Sequence, residues 1–349
     1  MNKTYCTPLI SILLPVYNAA SFLSESIKSI LQQTHTNLEI IVIDDGSTDQ
    51  SWVILQQMAK QDRRIRLFQN KKNIGLIRTL NKGLLLCTGE YIARMDADDI
   101  AHPERLEKQV KVLQQSDYQF CGTFYQFFPT APNPVLNRLR RLELQPQYTH
   151  PRALFFTPLI HPSLMAKTDF YRSFRYSEDF PVCEDYELFS RMLQKSDCIN
   201  VLEPLMKVRL SEESVSAKYK STQLQSIAKI YRRQFEQYSI PYTEEDLQTQ
   251  LLISDSNDKQ LTINDLSEIN NWLIRLKDIN EQQSIFDPNI FQEVLSVAWF
   301  KCCRRASIGG LELYKTYTTS PFSGDMIPLS FQVDMLLRAS AKQFLRLFR

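Results

Sequence analysis

Short apolar runs alternate with amphipathic stretches through the first 128 residues of the chain. The apolar runs predict buried strands at 9–14, 38–44, 65–69, 90–95 and 118–128. Apolar side chains at helical spacing predict helices between them, at 21–33, 49–61, 76–87 and 103–115. Strands and helices that alternate in this way are typical of an α/β fold, with a mostly parallel sheet flanked by helices.

Three of these predicted helices begin with residues that are typical of helix starts. Ser21 and Asp49 are predicted to cap the first two helices, because short polar side chains satisfy the N–H groups of a first turn. Pro103 is predicted to lie in the first turn of the fourth helix, where its missing N–H costs little.

The pattern changes beyond residue 128 and again near residue 217. The intermediate segment predicts a strand at 161–167, a helix at 184–195 and strands at 198–202 and 204–210. Beyond it, the chain consists of helical segments that are separated by polar stretches. We therefore predict an α/β domain at residues 1–217 and a helical C-terminal region at 218–349, available for acceptor, membrane-surface or oligomer contacts.

The composition excludes several classes of protein. A chain of 349 residues with 43% hydrophobic residues can bury a sizeable core, and its net charge of +2 does not call for a nucleic-acid partner. Its seven cysteines are scattered without a C-x-x-C motif, which indicates reduced thiols in a cytoplasmic protein. We expect no signal peptide and no membrane span, because no apolar stretch reaches about 18 residues.

The segment 333–349 is predicted to form an amphipathic helix. One face is apolar, formed by Val333, Leu337, Ala341, Phe344 and Phe348, and another is basic, formed by Arg338, Lys342, Arg346 and Arg349. Two interpretations stay open. The basic face is either the solvated side of a packed terminal helix or a peripheral contact with an anionic membrane surface.

Candidate chemistry lies where predicted strands end, in the acidic turns IDDGSTD and MDADD. No dinucleotide-binding or phosphate-loop glycine motif is present, and the four histidines lack a zinc spacing. Five glycines, more than half of the eight in the chain, fall between residues 46 and 122, so tight backbone geometry is concentrated around these turns.

The acidic turns comprise Asp44 and Asp45 after one strand, and Asp96, Asp98 and Asp99 after another. Ligands of open α/β sheets bind beyond the carboxyl ends of the strands, so both turns are expected to face one crevice. Carboxylate oxygens are hard ligands that suit Mg²⁺ or Mn²⁺. The alternative is that some of these aspartates, Asp99 among them, only cap turns and helices.

Three long segments of the chain resemble glycosyltransferase family 2 of the Rossmann-like GT-A fold. They are LISILLPVYNAASFLSESIKSILQQTHTNLEIIVIDDGSTDQS, NIGLIRTLNKGLLLCTGEYIARMDADDIAHPERLEKQ and CEDYELFSRM. The resemblance extends over roughly residues 8 to 217. It implies an inverting transfer from a nucleotide-diphosphate sugar, often UDP-linked, with a divalent cation.

The resemblance also implies roles for individual residues on the donor side. Pro15, Tyr17 and Asp45 would line the nucleotide base pocket, with Tyr17 against the uracil and Asp45 accepting its imide hydrogen. Asp96-Ala97-Asp98 would be the D-x-D motif. Asp98 would hold the metal, and Asp96 would lie near the ribose and the metal's waters.

On the acceptor side, the resemblance implies that Asp185 is the catalytic base and that Glu184 is its orienting neighbour. The alternative for Asp185 is a carboxylate that only serves the start of a helix. His161 borders the acceptor side in one interpretation and is a hydrogen-bonded structural histidine in another. Arg94 is placed to pair with a carboxylate of the D-x-D motif.

Two positions depart from the family pattern. Ser211 in RLSEESVS stands where many relatives have a histidine that can join the metal shell. The segment NIGLIRTLN lacks the commoner Arg-Asn form, so the phosphate contacts are open. Arg78 and Lys82 follow it one turn apart, and either reach the diphosphate or are solvated.

We therefore expect a bacterial hexosyl- or N-acetylhexosaminyltransferase. Its acceptor would be a saccharide or lipid-linked saccharide in surface polysaccharide or lipopolysaccharide biosynthesis, at the cytoplasmic side of a membrane. One alternative is a non-catalytic nucleotide-sugar binding protein. Another is a nucleotidyltransferase on the same fold, although LLPVYNAASF lacks the glycine-rich basic loop that such enzymes use.

Overall fold

The computed structural model describes residues 7–129, 139–140, 145–210, 220–254, 259–306, 310–323 and 333. The chain divides into two compact units. One contains Met1–Thr149 and Thr157–Lys218, and the other contains His150–Phe156 and Tyr219–Arg349. The predicted division into a catalytic domain at residues 1–217 and a helical region at 218–349 stays a prediction. Beyond Val333, the predicted C-terminal helix lies outside the described residues.

The strands and helices follow the sequence pattern closely in the first half of the chain. The strands are β1 Ile10–Val16, β2 Leu38–Asp44, β3 Ile65–Gln69, β4 Tyr91–Arg94, β5 Ile100–Ala101, β6 Phe120–Pro129, β7 Leu139–Arg140, β8 Met165–Lys167 and β9 Cys198–Leu210. The helices before residue 218 are α1 Ala20–Leu31, α2 Ser51–Gln61, α3 Leu76–Leu86, α4 Arg105–Gln114, α5 Pro146–Ala153, α6 Thr168–Phe174 and α7 Glu184–Leu193. Those after it are α8 Lys220–Gln237, α9 Glu244–Ile253, α10 Ile263–Gln283, α11 Pro288–Arg304 and α12 Gly310–Thr318.

All nine described strands belong to one mixed sheet, in the order β3-β2-β1-β4-β8-β6-β9-β5, with β7 paired to β6. Strands β1 to β4 are parallel, as predicted. The rest is mixed: β8 runs antiparallel to β4 and β6, while β6 and β9 are parallel. The α/β fold with a helical C-terminal region is therefore confirmed, and its sheet is less uniformly parallel than the strand–helix alternation indicates.

Strands β1 and β2 are buried along their whole length, which explains their mostly apolar sequences. Helix α1 packs on this part of the sheet through Leu23, Ile27 and Ile30. Both strands end at the same edge of the sheet, since Val16 is paired with Asp44 in register. The acidic turn after β2 is therefore fixed to the best-packed part of this unit.

Several local predictions are wrong. Ser21 does not cap α1, because the helix already begins at Ala20, whose N–H donates to Asp49 Oδ2 at 3.0 Å. Asp49 accepts from the Ser51 N–H at 2.9 Å and so contacts the first residues of two helices, but Gln50 lies directly before α2, so Asp49 is not the N-cap predicted for that helix. Pro103 precedes α4 by two residues instead of lying in its first turn.

The segment predicted as one strand at 161–167 begins with a single 3-10 turn and is extended only in β8. The two strands predicted at 198–202 and 204–210 are one strand, β9. Its pairing with β6 shifts register around Pro204, because proline has no N–H to donate to the ladder.

The second unit consists of helices with well-defined starts. Thr243 with Asp246 and Thr262 with Asp265 form capping boxes at α9 and α10. The short segment 150–156 belongs to this unit because its carbonyl groups accept hydrogen bonds from buried side chains, including Gln250 at 2.6 Å. None of the helices within the described residues is long and apolar enough to cross a membrane.

Candidate active site

The turn between β4 and β5 brings three carboxylates together. One oxygen of each of Asp96, Asp98 and Asp99 lies within 4.8 Å of the others. Asp96 and Asp98 are partly exposed, whereas Asp99 is only 1% exposed. The predicted acidic cluster is therefore present, with Asp99 as a third member below the D-x-D pair.

Burial and mutual repulsion disfavour the ionised forms of this cluster. Burial, with the charge of Asp96 as the next cause, raises the pKa of Asp98 to about 6. The same two effects and the charge of Asp98 raise the pKa of Asp99 well above its usual range. Asp99 Oδ2 is buried and has no hydrogen-bond partner among the described residues. Carboxylate oxygens are hard ligands, and a set of them that includes one buried oxygen without a hydrogen-bond partner fits a divalent cation.

Arg94 supplies positive charge directly beside the cluster. It is the last residue of β4, is 2% exposed, and its Nη1 forms an ion pair with Asp96 Oδ2, which confirms the pairing predicted for it. Its charge favours the ionised forms of Asp98 and Asp99, and also of Glu184. One buried guanidinium therefore acts both on Asp98 and Asp99 and on Glu184, which lies 86 and 85 positions from them in the sequence.

Arg209 clamps the same turn from the end of β9. The backbone N–H of Arg209 donates a hydrogen bond to Asp99 Oδ1 at 2.9 Å, and its side-chain Nε donates one to the Asp98 carbonyl oxygen at 3.0 Å. The guanidinium lies between the rings of Phe22 and Phe128, 4.3 Å from each ring centre. Asp99 is thus held by β9 and does not cap a helix, which corrects that alternative. Arg209 opens the segment RLSEESVS, but no pattern in the sequence marks it as the residue that holds the acidic turn.

Glu184 and Asp185 form the first turn of α7. The preceding residue, Cys183, has a left-handed backbone with φ of 63°. Burial raises the pKa of Asp185, and burial together with the charge of Asp185 raises the pKa of Glu184 to about 8. Asp185 Oδ1 accepts a hydrogen bond from the Tyr186 N–H at 2.8 Å, so Asp185 does serve the start of the helix. This bond uses one lone pair of the carboxylate, and the remaining lone pairs can accept a proton.

His161 lies behind this acidic pair. Its Nε2 is 2.6 Å from Tyr176 Oη, and its Nδ1 is 3.6 Å from Glu184 Oε1. Burial and the charge of Arg94 lower the pKa of His161 well below its usual range, so the ring is neutral. These contacts show that His161 is a buried, hydrogen-bonded histidine, and its place on the acceptor side stays a prediction.

Asp45 is buried at the end of β2 and holds the loop that precedes α3. Its oxygens accept Asn70 Nδ2 at 2.8 Å and the N–H groups of Ile74 and Gly75, both at 2.9 Å. Gly75 has φ of 92°, a backbone conformation that residues with a side chain rarely adopt. A carboxylate has about four lone-pair positions, so a further donor can be accommodated, and the nucleotide-binding role of Asp45 stays a prediction.

The other residues expected around the nucleotide differ in exposure. Pro15 is buried within β1, whereas Tyr17, just beyond the strand, is 48% exposed. Arg78 is exposed and pairs with Glu178, with Nε–Oε2 at 2.8 Å. Lys82 donates to Asn70 at 2.6 Å and so supports the Asp45 network. Ser211, the departure from the family pattern, lies outside the described residues.

Comparison with known proteins identifies the family. The sequence model of Glycosyl transferase family 2 matches residues 11–173. An uncharacterised glycosyltransferase of Haemophilus influenzae is 34% identical over 249 residues, which are 66% of this chain and 74% of the relative. The chain belongs to glycosyltransferase family 2. The protein is therefore a glycosyltransferase.

Solved structures establish the fold independently. The mannosyltransferase PcManGT of Pyrobaculum calidifontis, in complex with GDP-Man and Mn²⁺, superposes with a TM-score of 0.55 at 14% identity, over 85% of this chain and 86% of that protein. TarS of S. aureus in complex with UDP-GlcNAc has a TM-score of 0.50 at 15% identity, over 84% of this chain and 88% of that chain. At such low identity, this likeness shows a common GT-A fold.

Proposed function

We propose that this glycosyltransferase moves a hexosyl or N-acetylhexosaminyl group from a nucleotide-diphosphate donor, UDP-linked in the first instance, to a saccharide acceptor with inversion. The observation that carries the proposal is the presence of two separate acidic groups in one unit. One is the cluster Asp96, Asp98 and Asp99, which calls for a cation. The other is the pair Glu184 and Asp185, in which burial raises the pKa of both carboxyl groups, that of Glu184 to about 8, and a carboxylate with a raised pKa is a stronger base for proton transfer.

On the donor side, Asp98 and Asp96, with Asp99 beneath them, would hold Mn²⁺ or Mg²⁺. A divalent cation, when bound, neutralises charge on a diphosphate leaving group. The buried orphan oxygen of Asp99 supports this fit, since a protein rarely leaves such an atom without a partner. Arg94 and Arg209 would keep the turn in place before the cation and donor arrive.

The nucleotide would lie near the carboxyl ends of β1 and β2. Tyr17 offers an exposed aromatic ring there, and large exposed aromatic side chains are suited to stacking on a base. Asp45 is fixed at the same edge by Asn70 and the Gly75 N–H, so its position would not change on binding. Related structures bind UDP-GlcNAc in one case and GDP-Man in another, which supports a nucleotide sugar and leaves the base to experiment.

Asp185 would act as the base for the acceptor hydroxyl group. A hydroxyl is a weak nucleophile at neutral pH, and a carboxylate that takes its proton during attack accelerates the transfer. A single displacement of this kind inverts the anomeric carbon, as in inverting glycoside hydrolysis with the acceptor in place of water. Glu184, whose pKa is raised to about 8, would stay protonated at neutral pH while Asp185 is ionised, because two close carboxyl groups do not both ionise readily.

The acceptor would be a saccharide or lipid-linked saccharide of a growing surface glycan, and the enzyme would work at the cytoplasmic face of the membrane. The basic face predicted within 333–349 supports a peripheral membrane contact, although those residues beyond Val333 are not among the described ones. Such a contact requires only an amphipathic helix and anionic lipid.

The experiment is a panel of UDP-, GDP- and TDP-sugars, assayed for binding and slow hydrolysis with Mn²⁺ and with chelator. Wild type is compared with Asp98→Ala and with Asp117→Ala, a matched control at an exposed aspartate far from the turn in sequence. We expect one donor to bind and turn over only with metal, in wild type and the control but not in Asp98→Ala. Metal-independent binding without turnover would favour the nucleotide-sugar binding protein, and no binding would contradict the proposal.

A further inference from the structure

A chain of buried polar side chains leads from the core of the first unit to the acidic pair. Tyr171 in α6 is fully buried, and its hydroxyl contacts that of Tyr176. Tyr176 Oη lies 2.6 Å from His161 Nε2, and His161 Nδ1 lies 3.6 Å from Glu184 Oε1. Each polar group in the chain therefore has a polar neighbour, as buried polar groups require.

The middle of this chain is held firmly. The backbone of Tyr176 exchanges two hydrogen bonds with the Asn81 side chain, at 2.8 and 2.9 Å. The His161 ring packs edge-on against Phe189, which lies on the same helix as Glu184, with ring centres 6.3 Å apart. The imidazole is thus fixed by Tyr176 on one side and by α7 on the other.

The start of α7 needs such support. Cys183, directly before Glu184, has a left-handed backbone that costs on the order of 1 kcal/mol for a residue other than glycine. Strained positions of this kind persist where the surrounding contacts determine them, and they cluster at active sites. Here the strained residue, Cys183, directly precedes Glu184 and Asp185, so its backbone conformation orients the first turn of α7 that carries them.

A neutral imidazole has one donating and one accepting nitrogen. The bond that Tyr176 makes at Nε2 therefore decides what Nδ1 presents to Glu184. If Tyr176 accepts from Nε2–H, Nδ1 presents a lone pair toward Glu184 Oε1, 3.6 Å away; if Tyr176 donates, Nδ1 presents an N–H toward it. In both cases a ring that is held by Tyr176 and Phe189 presents a polar atom to the Glu184 carboxyl group.

We propose that His161 is a positioning residue for the transfer reaction: its ring, oriented by Tyr176, fixes Glu184 inward, so that Asp185 is the carboxylate presented to the acceptor. The proposal rests on the function proposed above, in which Asp185 is the base. It assigns His161 a role through Glu184 and no contact with substrate. A purely structural histidine would support folding but would leave the rate of transfer unchanged in the folded variant.

Two substitutions separate the two sides of the ring. An asparagine amide reaches the place of Nδ1 and keeps a polar group toward Glu184, whereas a glutamine amide reaches the place of Nε2 and keeps one toward Tyr176. We expect His161→Gln to lower kcat about 10-fold or more with the donor KM unchanged, because small misplacements of reacting groups have effects of this size. We expect His161→Asn to retain kcat within about threefold of wild type.

His35→Gln is the matched control, since His35 is also buried in the first unit and hydrogen-bonded, to the Pro8 carbonyl oxygen at 2.9 Å. It should leave kcat unchanged, whatever its melting temperature. The proposal is overturned if both His161 variants keep kcat within about twofold of wild type while only their melting temperatures fall. Asp185→Asn, measured alongside, distinguishes the two claims: if it retains turnover, the assignment of the base fails instead.

A second readout needs no turnover. The chain has four histidines, so the imidazole ¹⁵N resonances of the metal-free protein can be assigned by substitution. We expect the Nδ1 shift of His161 to move in Glu184→Gln and its Nε2 shift to move in Tyr176→Phe, with the other three histidines unchanged. An unmoved Nδ1 shift in Glu184→Gln would show that the ring does not act on Glu184, and the proposal would fall.

Discussion

In the metal-free protein, the stability that the Asp98 proton contributes should be lost as the pH rises, and Asp98→Asn should not show this loss. Burial and the charge of Asp96 raise the pKa of Asp98 from its ordinary 3.8 to about 6. The folded protein therefore holds this proton more tightly than the unfolded chain. Its contribution to stability is complete below about pH 4 and is lost as the pH passes through 6. Asparagine has no such proton to lose.

The size of the effect follows from the two pKa values. A difference of about two, at about 1.4 kcal/mol for each, gives about 3 kcal/mol between pH 4 and pH 7. For a domain of 150–250 residues, 1 kcal/mol corresponds to about 2–4 °C in melting temperature. Relative to wild type, the melting temperature of Asp98→Asn should therefore rise by about 6–12 °C between pH 4 and pH 7.

Differential scanning calorimetry in chelator measures this difference, because it resolves units that unfold separately. Asp117→Asn, at an exposed aspartate, is the control and should follow wild type at every pH. Adding Mn²⁺ at pH 7 should narrow the gap, since a cation that binds only the folded wild type stabilises it. A difference between Asp98→Asn and wild type that is the same at pH 4 and pH 7 would refute this reasoning.

Three further predictions concern single contacts. Arg209→Gln should weaken Mn²⁺ binding, followed by electron paramagnetic resonance, and lower stability by about 1–3 kcal/mol, because it removes a charged donor from the acidic turn; Arg209→Lys, which keeps the charge without the planar group, should lie between, and wild-type metal affinity in both would contradict the clamp. Asp45→Asn should cost about 1–3 kcal/mol in urea denaturation, because the Gly75 N–H loses a charged acceptor; an unchanged midpoint would show that the loop does not depend on this bond. Arg78→Ala should leave the melting temperature nearly unchanged, since its pair with Glu178 is exposed, but raise the donor KM about tenfold; an unchanged KM would mean that Arg78 is only solvated.

The strands of the first half could be predicted because burial and sequence pattern coincide there. Residues of β1 and β2 are buried on both faces, so their sequences are mostly apolar and leave no competing helical pattern. The parallel order of β1 to β4 follows from the helices between them. The position of β8, three residues long between β4 and β6, depends on pairing with segments 44 or more positions away, and no local pattern contains that information.

The carboxylates of the site could be predicted, but the groups that hold them could not. Three aspartates in four positions after a strand are visible in the sequence. Arg209, in contrast, reaches Asp98 and Asp99 across 110 positions, and its place between two aromatic rings requires the folded sheet. His161 and Tyr176 meet Glu184 only because a 3-10 turn and a helix start converge. Charge and spacing identify reactive groups, whereas their orientation is a property of tertiary packing.

The most direct test of the account is the turnover of Asp185→Asn with a nucleotide sugar that the wild type binds. Asparagine keeps the size of the side chain and can still serve the helix start, but it cannot take a proton. We predict that kcat falls about 100-fold or more while the donor KM stays within about threefold, because the base acts only in the transition state. Wild-type kcat in Asp185→Asn, with the donor bound as before, would contradict the claim that this carboxylate is the base of a glycosyl transfer.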